Sequence, residues 1–484
     1  MRIPRSALGH VWVFMLVGLA RVVSAQTPDS VDTRTASATA QTPEAGVPAA
    51  RSLRGGVEDA VKSVRGPAPL GVDGQLTSWL QVRGEFRARI EGFTGGGFAA
   101  DSSDAYWMDR FRFNATASPT RSMKFVVQVH DARAFHKTTG SQAAPLRDTW
   151  DLRMAYGEFG STNTVRVGRQ ELAFGEQRLL GHLGWANTAR SFDGARVSLK
   201  RKGVQLDAFA VSVVTIQPDA FDTSGSGNGL FGAYLSTTVV PKQTLEPYVL
   251  WRQSRGIAAE RGGIADLRQA TTGVRMAGKL PSAFDYSTET AVQTGSVGAD
   301  TVRAWASHWL IGKALAGVLA HPRFFGEYNY ASGDGNRTDG TRGTFDQLYP
   351  TGHDKYGLAD QVGWRNIHHA RAGVEFKPSA KWGVNGSYHS WWLASVTDAL
   401  YSAGGAAIAR SAAGTAGRHV GQEVDIQATY NYSPQLLVGV GYAHLIPGEF
   451  LTNTTPGHSY SYPYLMVTYV FLGEKPAIAW RNTQ

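Results

Sequence analysis

The chain predicts an all-β fold, a single antiparallel transmembrane β-barrel of about 18 strands with short periplasmic turns and long extracellular loops. Three observations carry this. Past residue 79, stretches of about ten residues alternate apolar and polar side chains, the period of a strand with one face in lipid and the other in water. The connectors between them alternate as well, one short and bearing Pro, Ser or Asn, the next long and Gly-rich. Beyond the N-terminus no apolar run reaches the length of a membrane-crossing helix, in a chain 42% hydrophobic with a mean hydropathy of −0.23.

Residues 1–25 read as a signal peptide. Arg2 and Arg5 precede an apolar core at 11–20, and Val23-Ser24-Ala25 supplies small residues before Gln26. Residues 26–76, rich in Ala, Thr, Ser, Pro and Gly, are expected to be a disordered periplasmic leader, with at most a turn or two of amphipathic helix at 57–64. The barrel is expected over 77–472 and a short C-terminal tail over 473–484. The formal charge of +9 falls to about +6 once Arg2, Arg5 and Arg21 leave with the signal. Such an excess suits anionic lipid or an acidic ligand, and in an exported chain nucleic acid is the least fitting partner. Cysteine is absent, which excludes a disulfide framework and thiolate chemistry.

Strands are expected near 79–91, 107–117, 122–133, 150–159, 164–171, 191–200, 203–213, 229–239 and 244–255. The others lie near 266–279, 283–294, 302–311, 320–331, 366–377, 381–392, 419–431, 435–445 and 461–472. Ser118-Pro119-Thr120-Arg121, Gly160-Ser161-Thr162-Asn163, Arg201-Lys202, Pro241-Lys242-Gln243, Leu280-Pro281-Ser282, Pro378-Ser379-Ala380 and Tyr432-Ser433-Pro434 are short turns, and 312–317 is a longer one on the same rim. The long set comprises 92–106, 134–149, 172–190, 214–228, 332–365, 393–418 and 446–460, with the contrast weakest around 295–319. An even strand number returns both ends to the short-turn rim. No repeat of the period a propeller or solenoid needs is present.

In the first strand Leu80, Val82, Phe86, Ala88 and Ile90 share one face, and Gln81, Arg83, Glu85, Arg87, Arg89 and Glu91 the other. The charged set must face the lumen, because each Arg at the lipid midplane costs about 2–4 kcal/mol. The same parity turns Arg110, Arg112, Asn114, Asp151, Arg153, Arg196, Lys200, His369, Arg371, Glu375, Glu423, Asp425 and Gln427 inward. It turns Phe111, Phe113, Leu152, Met154, Tyr156, Val197 and Leu199 outward. Such charges serve either as a structural network of ion pairs or as an anion pathway, since guanidinium grips carboxylate bidentately. Strand sixteen is acidic, so a uniformly basic lumen is not expected. Trp79, Trp107, Trp150, Trp382, Tyr430, Tyr432, Tyr460 and Tyr462 lie at strand ends and suit the interfacial girdles. Trp391, on the inner face, could stack on a pyranose ring.

Two segments resemble the alginate-export family of outer-membrane porins. One is Val165-Arg166-Val167-Gly168-Arg169-Gln170-Glu171-Leu172-Ala173-Phe174-Gly175, continuing through Gln177-Arg178-Leu179, Trp185-Ala186-Asn187 and Phe192-Asp193-Gly194-Ala195-Arg196. The other runs Tyr330-Ala331-Ser332-Gly333-Asp334, Thr344-Phe345-Asp346-Gln347-Leu348-Tyr349-Pro350, His353, Lys355-Tyr356-Gly357, Asp360 and Arg365-Asn366. The resemblance covers about 79–472. It implies an eighteen-stranded barrel that passes a polyuronate through an arginine-lined pore, with Arg166, Arg169, Arg178, Arg190, Asp193 and Arg196 on or beside the conducting wall. A bulge at Gly168 would re-aim Arg169 into the lumen; alternatively Arg169 and Asp193 pair to pin the 172–190 loop inward. The short turns cannot plug the barrel, so any gate must be an inward-folded outer loop, best 172–190, or the leader.

Asp334, Asn336 and Asp339 loosely resemble a calcium loop, with Asp346, Asp354 and Asp360 as further ligands. The glycine is displaced and no Glu closes the loop, so a solvated Asp/Gly turn is the expectation. His368 and His369 point to opposite faces and make poor joint ligands. Gly225 to Gly229 lacks the strand-to-helix setting of a phosphate loop. The expected function is therefore an outer-membrane channel, not an enzyme and without cofactor. It passes an anionic polysaccharide by passive diffusion, or alternatively serves as a porin for small anions or sugars. Its expected partners are that polymer, outer-membrane lipid and lipopolysaccharide, and periplasmic secretion or biosynthesis proteins.

Overall fold

The structure, a computed structural model, describes residue 74 and residues 76–472; the expected signal, nearly all of the leader and the C-terminal tail lie outside the described residues. Strands follow the alternating stretches in order: β1 (Leu80–Thr94), β2 (Ser103–Thr120), β3 (Met123–Phe135), β4 (Asp148–Phe159), β5 (Thr164–Gln170) and β6 (Phe192–Arg201). Then come β7 (Val204–Thr215), β8 (Thr223–Thr237), β9 (Gln243–Ala258), β10 (Ile264–Lys279), β11 (Phe284–Val297) and β12 (Asp300–Ala314). The last six are β13 (Arg323–Ala331), β14 (Ile367–Phe376), β15 (Trp382–Leu393), β16 (His419–Asn431), β17 (Leu436–Pro447) and β18 (Tyr460–Phe471).

Each strand pairs antiparallel with its chain neighbours, and β18 pairs back onto β1, from Gly84↔Phe471 to Thr94↔Ser461, closing the cylinder. Closure removes the sheet edges, so each backbone N–H and C=O in the lipid zone finds its partner in the next strand. A nineteenth strand of that sheet, Thr341–Arg342, belongs to a loop and runs parallel to Thr301–Val302. The short rim carries connections such as 160–163, 202–203 and 432–435, and the long rim carries 136–147, 171–191, 332–366 and 394–418. Several strands run past their expected ends. As a result the outer connections 216–222, 259–263 and 298–299 are short.

Exposure confirms the parity. Phe86, Val197, Leu199, Val424 and Ile426 are exposed on the lipid face, while Arg87, Arg89, Arg110, Arg153, Glu423 and Asp425 are buried inside. Three expectations are corrected. Tyr156 faces the lumen, because the register steps from Gln128↔Met154 to Val129↔Leu152 and skips Arg153; one extra residue on β4 inverts everything after it. No bulge occurs at Gly168: its ladders to β4 and β6 are continuous, and Arg169 keeps the parity of the lipid-facing Val165 and Val167. Tyr460 and Tyr462 are inward rather than in a girdle, each 8% exposed, because β18 turns Pro463 and Tyr469 to the lipid.

Gly168 still has a specific job. At φ +123 its missing Cβ would lie 2.2 Å from the carbonyl oxygen of Ala155. Gly168→Ala is expected to cost about 1–3 kcal/mol, read as a lower urea midpoint of the heat-modifiable barrel. Gly326→Ala, where nothing lies within 4 Å, is the control. Equal midpoints would show that the backbone relaxes freely at Gly168.

Candidate functional site

The lumen is occupied by two of the long loops. After Gln170 the chain of 171–191 turns inward because its apolar residues have nowhere else to go: Leu172, Leu179 and Leu180 are buried, and Phe174 stacks on Phe209 and Tyr234 at 5.5 and 4.6 Å. Away from any sheet ladder, its carbonyls need donors. Arginines of β1 and β2 supply them. Arg87 donates to the carbonyls of Gly184, Trp185 and Ala186 at 3.3, 3.0 and 3.1 Å, and Arg110 to those of Gly184 and Ala186 at 3.1 and 3.2 Å. Arg89 donates to the Trp185 carbonyl at 2.7 Å and lies 4.1 Å over its indole. Asn187 completes the fastening through its amide to the carbonyls of Asp109, Arg133 and Leu146.

The second loop, 332–366, lies against the first. Tyr349 N–H donates to the Leu179 carbonyl, Gly181 N–H to that of Tyr349 and Thr351 N–H to that of Gln177, each at 2.9 Å. Arg190 reaches the Pro350 carbonyl at 3.0 Å, and Trp185 stacks on His353 at 4.0 Å. The wall holds this loop by acids and amides. Asp346 pairs with Arg252, Gln293 brackets the backbone of Asp346, and the N–H groups of Leu358 and Ala359 donate to Asp425 and Glu423, both at 3.1 Å. The acidic sixteenth strand is thus a backbone acceptor for the loop.

The expected site residues fall into separate groups. Arg87, Arg89, Arg110, Arg112, Arg153 and Arg190 gather around the 182–190 stretch. Arg110 pairs with Glu85 at 2.5 Å, Arg89 with Glu91 at 2.7 Å and Arg153 with Glu171. Among the described residues Arg87, Arg112 and Arg190 have no ion pair with an acid, and Nε and Nη2 of Arg112 are buried without a hydrogen-bond partner. The field is felt by His182 of the loop: desolvation, then Arg153, Arg112, Arg110 and Arg190, push its imidazole down to about 3.

Arg178 sits in a second group with Glu327 at 2.9 Å, Glu176 at 3.2 Å, His308, Asn329 and the Tyr356 hydroxyl; Arg371 reaches the other Glu327 oxygen at 3.4 Å. Toward the short-turn rim Arg166 pairs with Glu158 at 2.5 Å and Arg196 with Asp207 at 3.0 Å, side by side across β5 and β6. Arg83 continues the inner row there. Arg169 stands apart at the long-loop rim. It holds Asp193 at 2.9 Å and Asp151 at 3.4 Å and donates to the Asp222 carbonyl, so it ties down the 216–222 loop rather than 171–191.

Glu176, Glu246, Arg275, Glu289, His308 and Glu327 form a polar belt that the residues singled out from sequence did not include. The period-two rule, applied to β9–β13 as it was to β1–β6, would have found the wall members. Trp391 offers no open ring face: it is 0% exposed, with His369 and His389 at 5.9 and 5.8 Å. Asp334, Asn336 and Asp339 accept hydrogen bonds from backbone two residues on, a chain of turns, while Asp346 and Asp360 turn to Arg252 and His353.

Comparison with solved structures shows the same fold at low identity. OpdQ of Pseudomonas aeruginosa matches with a TM-score of 0.56 at 13% identity, covering 81% of this chain and 97% of its own. OccAB2 of Acinetobacter baumannii matches with 0.55 at 12%, covering 81% and 98%, and OccAB3 of the same organism with 0.56 at 12%, covering 81% and 99%. A comparison with curated protein sequences finds no match. The family match to alginate export runs over residues 78–464, from the start of the barrel into its last strand. It includes both segments that meet inside the lumen, and the chain accordingly belongs to the alginate export family, an outer-membrane β-barrel channel of bacteria.

Proposed function

We propose that the channel passes an anionic polysaccharide, an alginate-like polyuronate, from the periplasm outward by passive diffusion. The observation that carries this reading is the arginine group around 182–190, in which Arg87 and Arg190 donate to neutral carbonyls and Arg112 has buried, unbonded nitrogens. A carboxylate arriving there exchanges carbonyl contacts for charge-assisted ones, which are roughly twice as strong. A ladder of such sites holds each uronate weakly enough for the polymer to move on. Direction is supported by the rims: the short turns carry Arg121, Lys202, Lys242, Lys377 and Lys381 and no Asp or Glu, whereas the long loops mix both signs. A polyanion in the periplasm therefore meets a positive mouth first.

A second reading, a porin for small anions or sugars, is favoured by the amount of lumen that the two loops fill. Planar-bilayer recording under a salt gradient separates the two. Polymer passage requires anion selectivity and block by oligouronates added on the short-turn side; the small-solute reading requires selectivity without block. Cation selectivity with no block would defeat both. Replacing Lys202, Lys242, Lys377 and Lys381 with Glu should slow the onset of block roughly tenfold at low ionic strength, with the difference vanishing in high salt. An unchanged onset would remove that rim from the pathway.

A further inference from the structure

We propose that the outer surface of β9–β12, at the long-loop end, binds the phosphorylated headgroup of an anionic outer-leaflet lipid of the lipopolysaccharide class. Rows of outward side chains can be read across these four strands from the register. One row holds Val249, Thr272, Val292 and Trp305, and three of these are large and exposed, at 50%, 50% and 44%. The row above holds Trp251, Ala270, Thr294 and Arg303, and the next Gln253, Arg268, Ser296 and Thr301. Arg255 follows on β9. The surface thus passes within a few residues from acyl-chain contact to a basic tier, the level at which headgroup phosphates lie.

Arg255, Arg268 and Arg303 are all exposed, and none has a hydrogen bond or ion pair among the described residues. This distinguishes them from the lumen arginines, which are mostly spent on acids and carbonyls. One acid, Asp266, shares the tier and leaves it net positive. Arg255, Arg268 and Asp266 also border a crevice of about 320 Å³ with Gln253, Asn228 and Ser212, opened by the bare Gly227 and Gly229. The connections above, 259–263 and 298–299, are short, and although Thr341–Arg342 of the 332–366 loop runs beside Thr301–Val302, the three guanidinium groups stay exposed. Charge complementarity, and the tier's place directly above an apolar band, select a lipid phosphate over a soluble acidic protein. A guanidinium meets a phosphate bidentately.

The test uses the full-length protein in detergent, with hexa-acylated lipid A carrying both phosphates, the same lipid dephosphorylated, and inorganic phosphate as three separate ligands. Each arginine contributes roughly a factor of five near an anionic surface. Arg255→Gln, Arg268→Gln and Arg303→Gln together should therefore weaken phosphorylated lipid A binding on the order of 100-fold. The heat-modifiable band and the single-channel conductance should stay unchanged. Should the triple variant fail to fold, the Arg255→Gln, Arg268→Gln pair should still weaken binding roughly 25-fold. Undiminished binding by either folded variant, or equal binding of the dephosphorylated lipid, overturns the proposal. So does inorganic phosphate that binds as well as the lipid, which would make the tier a free-phosphate site.

Discussion

Replacing Arg87 and Arg110 together with Gln should raise single-channel conductance several-fold and make it noisy, with the barrel still folded. These two guanidinium groups make five of the bonds that hold 184–186 against the wall. Hydrogen bonds to a charged group contribute about 1.5–3 kcal/mol each. Losing even two shifts the balance between docked and released loop by roughly 100-fold or more. Glu85 loses its 2.5 Å partner in the same variant, so Glu85→Gln belongs in the background. Arg87→Lys keeps the charge but not the fork and should fall between. Conductance and noise identical to the parent, in a folded barrel, would show that these arginines do not latch the loop.

The largest loss of stability is expected from Arg178→Ala. Arg178 ties 171–191 to Tyr356 of the 332–366 loop, to His308 on β12 and to Glu327 and Asn329 on β13. Removing it takes the 2.9 Å partner from Glu327, 6% exposed, leaving it Arg371 at 3.4 Å, and one of two arginines from Glu176, 5% exposed. Breaking one member out of a buried pair costs about 3–5 kcal/mol, seen as a lower urea midpoint and a lower temperature for loss of the heat-modifiable band. The loop carboxyl of Glu176 adds a pH signature. Burial raises it, but Arg275, Arg178 and His308 outweigh burial and hold it well below the usual carboxylate range. A depressed carboxyl stabilises above its unfolded pKa and loses that contribution only as pH falls through the folded value. The parent's contribution from Glu176 therefore persists below pH 4, whereas in Arg178→Ala it should fade at higher pH. Equal midpoints for parent and variant at pH 7 and pH 4 would remove the network from the stability of the fold.

Much of this architecture is legible one strand at a time. Every expected strand has its counterpart, because alternation and turn residues are local properties and lipid permits only one inward assignment for a strand such as β1. The misreadings all have non-local causes. Tyr156 turned on a bulge whose partner strand is β3; Tyr460 and Tyr462 turned on which face of β18 meets the lipid; Arg169 turned on a loop that arrives from β7. The arginines of β1 and β2 were visible as an inward row, but their contacts lie about 75 to 100 residues away along the chain, in 184–187.

By itself, then, the sequence determined the barrel, its strand number, its two unlike rims and the inward row of charge, because each follows from period two and from the cost of a bare charge in lipid. Only the tertiary structure decided what those charges hold. A folded-in loop brings carbonyls with no ladder partner, and whichever donors they meet are spent on them. That is why Arg87 and Arg110 face loop carbonyls, Glu423 and Asp425 face loop N–H groups, and Arg112 keeps both Nε and Nη2 buried and unbonded.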